Sequence, residues 1–329
     1  MTGAVLVHCR CRWHIGTIRL LIAMVAMGGL FLFPAIVPDP ACAAEKQVAV
    51  VVSKSIRPYL EAAGGLSQIL SPKSDVIITQ FMLDRFDGDD ADAALAGRVR
   101  QLAPNLLVAI GPDALRFAWS TAIPADIQKI YAMALNPRHI LASAGDDACG
   151  VSLNIAPERQ IGLIQQCLPK AGRIGLLYDP IHNEPFFQQA QAAAEAIGAR
   201  LVALPISAKT QIQTVLAANK QSIDALWIIP DRTVVSASII RFVIKESLLH
   251  NIPVIGFNRF FYENGAAVAF VLDYAQIGRQ CGDLALDILG AQGCQSVPPA
   301  FSVWLNPRVF DRLKIALPQS YEPPIQEGP

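Results

Sequence analysis

RIGLLYDPIHNEPFFQQAQAAAEAIGARLVALPI, residues Arg173 to Ile206, decides the architecture. Arg173 to Tyr178 is a short run that is apolar on both faces, Pro185 to Ile197 has helical spacing, and Arg200 to Ile206 is a second short apolar run. Strand, helix and strand in that order form a βαβ unit, whose two strands belong to a parallel sheet. Strands without a polar face are covered by helices on both sides.

The same alternation extends outward from this stretch. Toward the N-terminus, Val48 to Val52, Val76 to Phe81, Leu106 to Ile110 and Lys129 to Ala134 read as strands, and Tyr59 to Leu70, Ala91 to Leu102 and Pro112 to Thr121 as the helices between them. Toward the C-terminus, Asp224 to Ile229 and Pro253 to Phe257 add strands, and Pro157 to Cys167, Ala208 to Ala218 and Val234 to His250 add helices. Two sets of four strands suit two doubly wound parallel-sheet lobes joined by hinge strands better than one sheet of eight or more. Cys149 to Asn154 is the crossing between the sets. Ala267 to Val271, Ala275 to Leu289, Phe301 to Leu305 and Pro307 to Ala316 then read as strand, helix, strand and helix that return to the first lobe and again to the second. The expected division is 46–150 plus about 274–300 for the first lobe and 151–273 plus about 301–318 for the second, with 319–329 as an extended, flexible tail.

Lys and Arg number 27 against 27 Asp and Glu, so no net field gathers nucleic acid, and no nucleic-acid partner is expected. Arg10, Arg12 and Arg19 precede an apolar run from Leu20 to Val37, and Ala41-Cys42-Ala43-Ala44 follows it. Basic, apolar, then small is the order of a signal peptide, read over 1–44 with cleavage near Ala43 and a periplasmic destination; an uncleaved membrane anchor is the alternative. Beyond it lie Cys149, Cys167, Cys281 and Cys294. Cys281 and Cys294 are the nearest pair, three pairings are open, and buried free thiols are the other reading. No Cys-x-x-Cys or Cys/His ligand spacing is present, so neither a metal nor a cofactor is expected.

In open parallel sheets, ligands sit beyond the carboxyl ends of the strands. Those positions hold Ser53, Gly111, Pro112 and Asp113, and Asn136 in the first lobe, and Asp179, Asp231, Phe257 and Asn258 in the second. Asp113, Asp179 and Asp231 are also read as simple caps of the following helices. Phe257, Phe260 and Tyr262 follow a strand end that should face the cleft, and one of them is a candidate wall for a flat or apolar ligand. There is no Gly-x-Ser-x-Gly elbow, no phosphate loop and no Gly-x-Gly-x-x-Gly after the first strand, so no catalytic residue is assigned.

Several stretches together resemble one family: RPYLEAAGGL (Arg57 to Leu66), VAIGPDA (Val108 to Ala114), YAMALNP (Tyr131 to Pro137), GVSLNIAPERQIGLIQQCLP (Gly150 to Pro169), RIGLLYDP (Arg173 to Pro180), ALWIIPDRTVVS (Ala225 to Ser236), NIPVIGF (Asn251 to Phe257) and NGAAVAFVLDYAQIGRQCGDLALDILGA (Asn264 to Ala291). In order and spacing they resemble ABC-transporter substrate-binding proteins of the group with tryptophan/tyrosine-type binding proteins, related in fold to type I periplasmic binding proteins. The resemblance implies a monomer that closes on a small-molecule solute and passes it to an ABC permease, without chemistry. It implies ligand contacts at Ser53, Gly111, Pro112, Asn136, Asp179, Asp231, Asn258 and Asp273. Pro112 stands where the family usually has Ser or Thr, Asn136 where it has Asp, and Asp179 where it often has Asn, which argues against an α-amino-acid ligand. A sensing module read by a membrane receptor, and an exported α/β enzyme, are the competing readings.

Overall fold

The computed structural model describes residues 45–86, 90–141, 148–234, 236–318, 320 and 322–329, and the expected signal segment, 1–44, lies outside the described residues. Lobe 1 contains β1 (Lys46–Val52), α1 (Arg57–Leu70), β2 (Val76–Met82), α2 (Ala91–Leu102), β3 (Leu106–Ile110), α3 (Pro112–Ala118), β4 (Gln128–Ala134), α4 (Pro137–Ile140) and β5 (Cys149–Ser152). Its five strands form a parallel sheet in the order β2-β1-β3-β4-β5. Val48, Val50 and Val52 face a core shared with α1, while Ala49 and Val51 face the other core with α2 and α3. All five are at most 1% exposed, which is why this strand has no polar side. Each buried valine contributes about 1.5–3 kcal/mol, so a charge at Val50 would unfold the lobe.

Lobe 2 follows with α5 (Pro157–Cys167), β6 (Arg173–Tyr178), α6 (Pro180–Ala196), β7 (Arg200–Pro205), α7 (Ile212–Asn219), β8 (Ala225–Ile228), α8 (Ala237–Leu249), β9 (Val254–Gly256), α9 (Arg259–Glu263) and β10 (Val268–Leu272). Next come α10 (Tyr274–Leu289), β11 (Phe301–Leu305), α11 (Pro307–Arg312) and β12 (Ile325–Glu327). The sheet order is β12-β11-β10-β9-β8-β6-β7, and β11 runs antiparallel to β10. Helix α6 begins five residues earlier than its spacing suggests, because the Asp179 carboxylate accepts from Ile181 N at 3.0 Å and starts the helix ahead of Pro185.

The chain passes between the lobes three times: after β5, at Asp273 between β10 and α10, and along residues 290–300 between α10 and β11. Helix α10 packs on lobe 1 beside α1, with Ile277, Cys281, Leu284 and Ile288 in the core under Val48 and Val50.

The pairing left open by the sequence is decided here: Cys149 and Cys294 are bridged, with Cα atoms 6.1 Å apart, and the nearest pair, Cys281 and Cys294, is not. Cys281 lies on the buried face of α10 against the sheet, out of reach of the loop that follows the helix. That loop instead runs along β5, where Val297 bridges Val151 and the Ser296 hydroxyl accepts from Gly150 N at 3.2 Å, bringing Cys294 to Cys149. Cys167 and Cys281 are buried thiols, each pushed up to about 12 by burial. One expectation, the extended and flexible tail over 319–329, is corrected at its end. Its end is a sheet strand, since Ile325 is buried, Val303 N donates to Pro324 O at 2.7 Å and the Tyr262 hydroxyl donates to Pro329 O at 2.9 Å.

Candidate functional site

Every crossing joins carboxyl-end regions of the two sheets. Ser152 ends β5, Leu272 ends β10, and Phe301, where the third crossing enters lobe 2, pairs with Leu272. Asp273 N donates to Ala300 O at 3.0 Å, so two crossings lie side by side. The loops beyond the strand ends therefore flank the gap beside the hinge, which is where an open α/β sheet presents polar groups to a ligand.

On the lobe 1 edge, Ser53 follows β1 and Gly111-Pro112 follows the adjacent β3. Ser53 is buried, and its hydroxyl accepts from Ala114 N at 2.8 Å, capping α3 from a neighbouring strand. Gly111 has φ 93°, and a Cβ there would lie 2.6 Å from Ser53 Oγ, so this turn requires glycine. Pro112 opens α3 and has no N–H to offer. Asp113 is tied to Arg116 at 2.6 Å and lies 4.0 Å from Lys54. The end of β4 is irregular: its register with β5 shifts between Ala132 and Ala134, and Met133 has φ 62°. Asn136, at φ 48°, follows that bulge and exchanges two hydrogen bonds with Asn154 on the first crossing, Asn154 Nδ2 to Asn136 Oδ1 at 2.9 Å and Asn136 N to Asn154 Oδ1 at 3.1 Å.

On the lobe 2 edge, Asp179 and Asp231 come together. Asp231 Oδ2 accepts from Asp179 N and from Asn183 Nδ2, both at 2.7 Å, and its Oδ1 accepts from Thr233 N at 2.8 Å. Asp179 accepts from the Thr233 hydroxyl at 2.7 Å and from Ile181 N. Both carboxylates are buried, and the Thr233 bond holds Asp179 below the usual carboxylate range, against the opposing effect of burial. Asn258 caps α9 by accepting from Phe261 N at 3.2 Å, and Phe257 lies with its ring 4.8 Å from that of Phe261. Asp273 caps α10 by accepting from Gln276 N at 2.9 Å.

The residues singled out from sequence thus gather at the two edges, with Ser53 beside Gly111 and Asp179 beside Asp231. Sequence reading missed Asn183, Thr233 and Asn154, which complete these bonds from 18 to 54 residues away in sequence. It also missed Tyr59 and Tyr274, each in the first turn of a helix that starts at the lobe 1 edge. A tyrosine directly after a strand end and its turn was the available signal. Among the described residues no group of three or more His, Cys, Asp or Glu is placed to hold a metal.

The fold is similar to that of the ligand-free, open structure of a substrate-binding protein with adhesive properties from Clostridium difficile, with TM-score 0.71 and 16% identity, covering 86% of this chain and 99% of that one. A Streptococcus pneumonia ABC domain in complex with L-Trp matches with TM-score 0.57 and 18% identity, covering 84% and 97% of the two chains. A tyrosine-binding protein of Clostridioides difficile (strain R20291) is 23% identical over 160 residues, 48% of this chain and 46% of the relative, so the match spans about half of that protein's length. The family model described as ABC transporter substrate binding protein matches residues 88–321, most of both lobes, and the chain belongs to that family.

Proposed function

We propose that this protein captures a small solute between its lobes and presents the closed form to the permease of an ABC importer. The observation that carries the reading is the pair of strand-end edges set beside three chain crossings, an arrangement that hinges without breaking either core. A solute with greater affinity for the closed arrangement shifts the population toward it, and the permease reads shape, so no bond need be made or broken.

Family membership implies a place outside the cytoplasm, and the Cys149–Cys294 disulfide supports an oxidising compartment. We take the protein to act as a monomer. Pro112 in lobe 1 has no N–H to offer an α-carboxylate, while the Ser53 hydroxyl, which accepts from Ala114 N, keeps its own proton to donate. The ligand contacts assigned to Ser53, Gly111, Pro112, Asn136, Asp179, Asp231, Phe257, Asn258 and Asp273 remain part of this proposal.

The test is native mass spectrometry with thermal melting and small-angle scattering of the processed protein against amino acids, nucleosides, sugars and aromatic acids. A true solute is recovered unchanged, contracts the scattering profile, and at a hundred times its Kd adds about 2.7 kcal/mol of stability. Recovery of a converted product, or bound solute with an unchanged profile, overturns the reading.

A further inference from the structure

Helices α1 and α10 run parallel with their backbones in contact. A Cβ on Gly65 would strike the Ala275 carbonyl, one on Gly278 would strike the Ala62 carbonyl, and one on Gly282 would lie 2.7 Å from Ile69 Cβ. Farther along, Arg279 Nη1 donates to Gln68 Oε1 at 3.1 Å. Contacts that advance together along both helices put the two first turns side by side, at the carboxyl end of the lobe 1 sheet and next to the Asp273 crossing.

Each first turn carries a tyrosine, Tyr59 and Tyr274. Both rings are half-buried against the lobe 1 core. Tyr59 lies against the β3 turn, its Cε2 3.0 Å from where a Gly111 Cβ would stand. Burial, then the charge of Asp113, then Tyr274 hold Tyr59 above the ordinary phenol range, and burial followed by Glu61 does the same for Tyr274. Both hydroxyls therefore stay protonated at neutral pH and able to donate. Several polar groups around them already hold one another: the Ser53 oxygen accepts from Ala114 N, Asn154 Nδ2 donates to Asn136 Oδ1, Asp113 pairs with Arg116, and across the gap the Asp179 and Asp231 carboxylates accept from each other's loops. Phe257 is the half-buried ring at the lobe 2 edge.

We propose that Tyr59 and Tyr274 form the lobe 1 wall for a flat, ring-bearing solute, their hydroxyls bonding its polar atoms while Phe257 approaches from lobe 2. The proposal rests on the solute-capture reading above. Paired rings give a flat ligand apolar contact area, and two phenols supply the few oriented polar groups that such a site needs. An α-amino-acid head is not required.

The test is isothermal titration of the processed full chain with indole, 4-hydroxybenzoate and adenosine as ring probes and with D-ribose and L-leucine as ringless ones. Wild type is compared with Tyr59→Phe, Tyr274→Phe and Tyr59→Leu, and circular dichroism checks that each variant is folded. At least one ring probe binds wild type, each Phe variant weakens it about tenfold, and Tyr59→Leu weakens it more. Equal affinity for a ring probe in wild type and both Phe variants overturns the wall and leaves capture standing. So does binding of ribose or leucine in place of every ring probe, whereas failure of wild type to bind any of the five counts against wall and capture together.

Discussion

In lobe 2, Asp231 collects three hydrogen bonds from Asp179, Asn183 and Thr233 in a buried knot, whereas in lobe 1 Tyr59 and Tyr274 sit at the edge with hydroxyls that have no partner among the described residues. The carboxylates are the more conspicuous residues in the sequence, but each accepts its hydrogen bonds from within the lobe. A buried polar group whose bonds are satisfied stabilises the scaffold, and recognition falls to groups that folding leaves unpaired. On the proposed wall, stability falls to one edge and ligand choice to the other.

Asp231→Ala tests the first half of that contrast most severely. It strands three donors next to a buried loop and is expected to lower stability by about 3–5 kcal/mol, read from urea unfolding. If Asp231→Asn instead keeps its melting temperature and loses all solute binding, the knot is a ligand surface and the contrast breaks. Replacing Cys149 and Cys294 together by Ser opens a loop of 145 residues and should cost about 2–4 kcal/mol. Because that disulfide holds the third crossing to lobe 1, a melting scan with and without reductant separates scaffold from solute binding, whose Kd should change little.

Gly278→Ala acts between the two regions. Its Cβ meets the Ala62 carbonyl, so α1 and α10 must part, at about 1–3 kcal/mol and with loss of ring-probe affinity if the tyrosines depend on that contact. Acid unfolding reads Asp179 together with Asp224, which its bond to Arg173 also holds below the usual carboxylate range, so the Asp179 share is isolated by substitution. The folded pKa of Asp179 is depressed, so its contribution is present above the unfolded value of about 4 and is lost as pH falls through the folded one; Asp179→Asn should flatten the stability profile in that window. At the alkaline end Tyr178, raised to about 12 mainly by burial, contributes stability that is intact below about pH 10 and is lost as pH rises toward the folded value. The smallest effect belongs to the exposed Arg57–Glu61 pair, where Arg57→Ala should leave the melting temperature unchanged.

Much of the fold is legible without coordinates. Leu106–Ile110, Arg173–Tyr178 and Phe301–Leu305 are strands over the residues that their apolar runs mark, and Ala91–Leu102 and Pro157–Cys167 are helices over the residues that their spacing marks. Buried parallel strands announce themselves because covering helices tolerate no polar side chain on either face. The start of α6 was less legible, since Pro185 draws attention from the Asp179 cap that begins the helix. The strand-end residues are also found by rule, but their partners are not, because hydrogen bonds from Ala114 N to Ser53 Oγ and from the Thr233 hydroxyl to Asp179 span 61 and 54 residues of chain.

What the sequence alone determined is the order of elements, the two-lobed α/β class and the residues that stand at the strand ends, all of which follow from local periodicity and from turns next to strand ends. What only the tertiary structure decided is the Cys149–Cys294 bridge, the seating of the C-terminal strand, and which edge groups are spent and which stand free. Those depend on contacts between residues far apart in the chain, and no local pattern encodes how two surfaces meet.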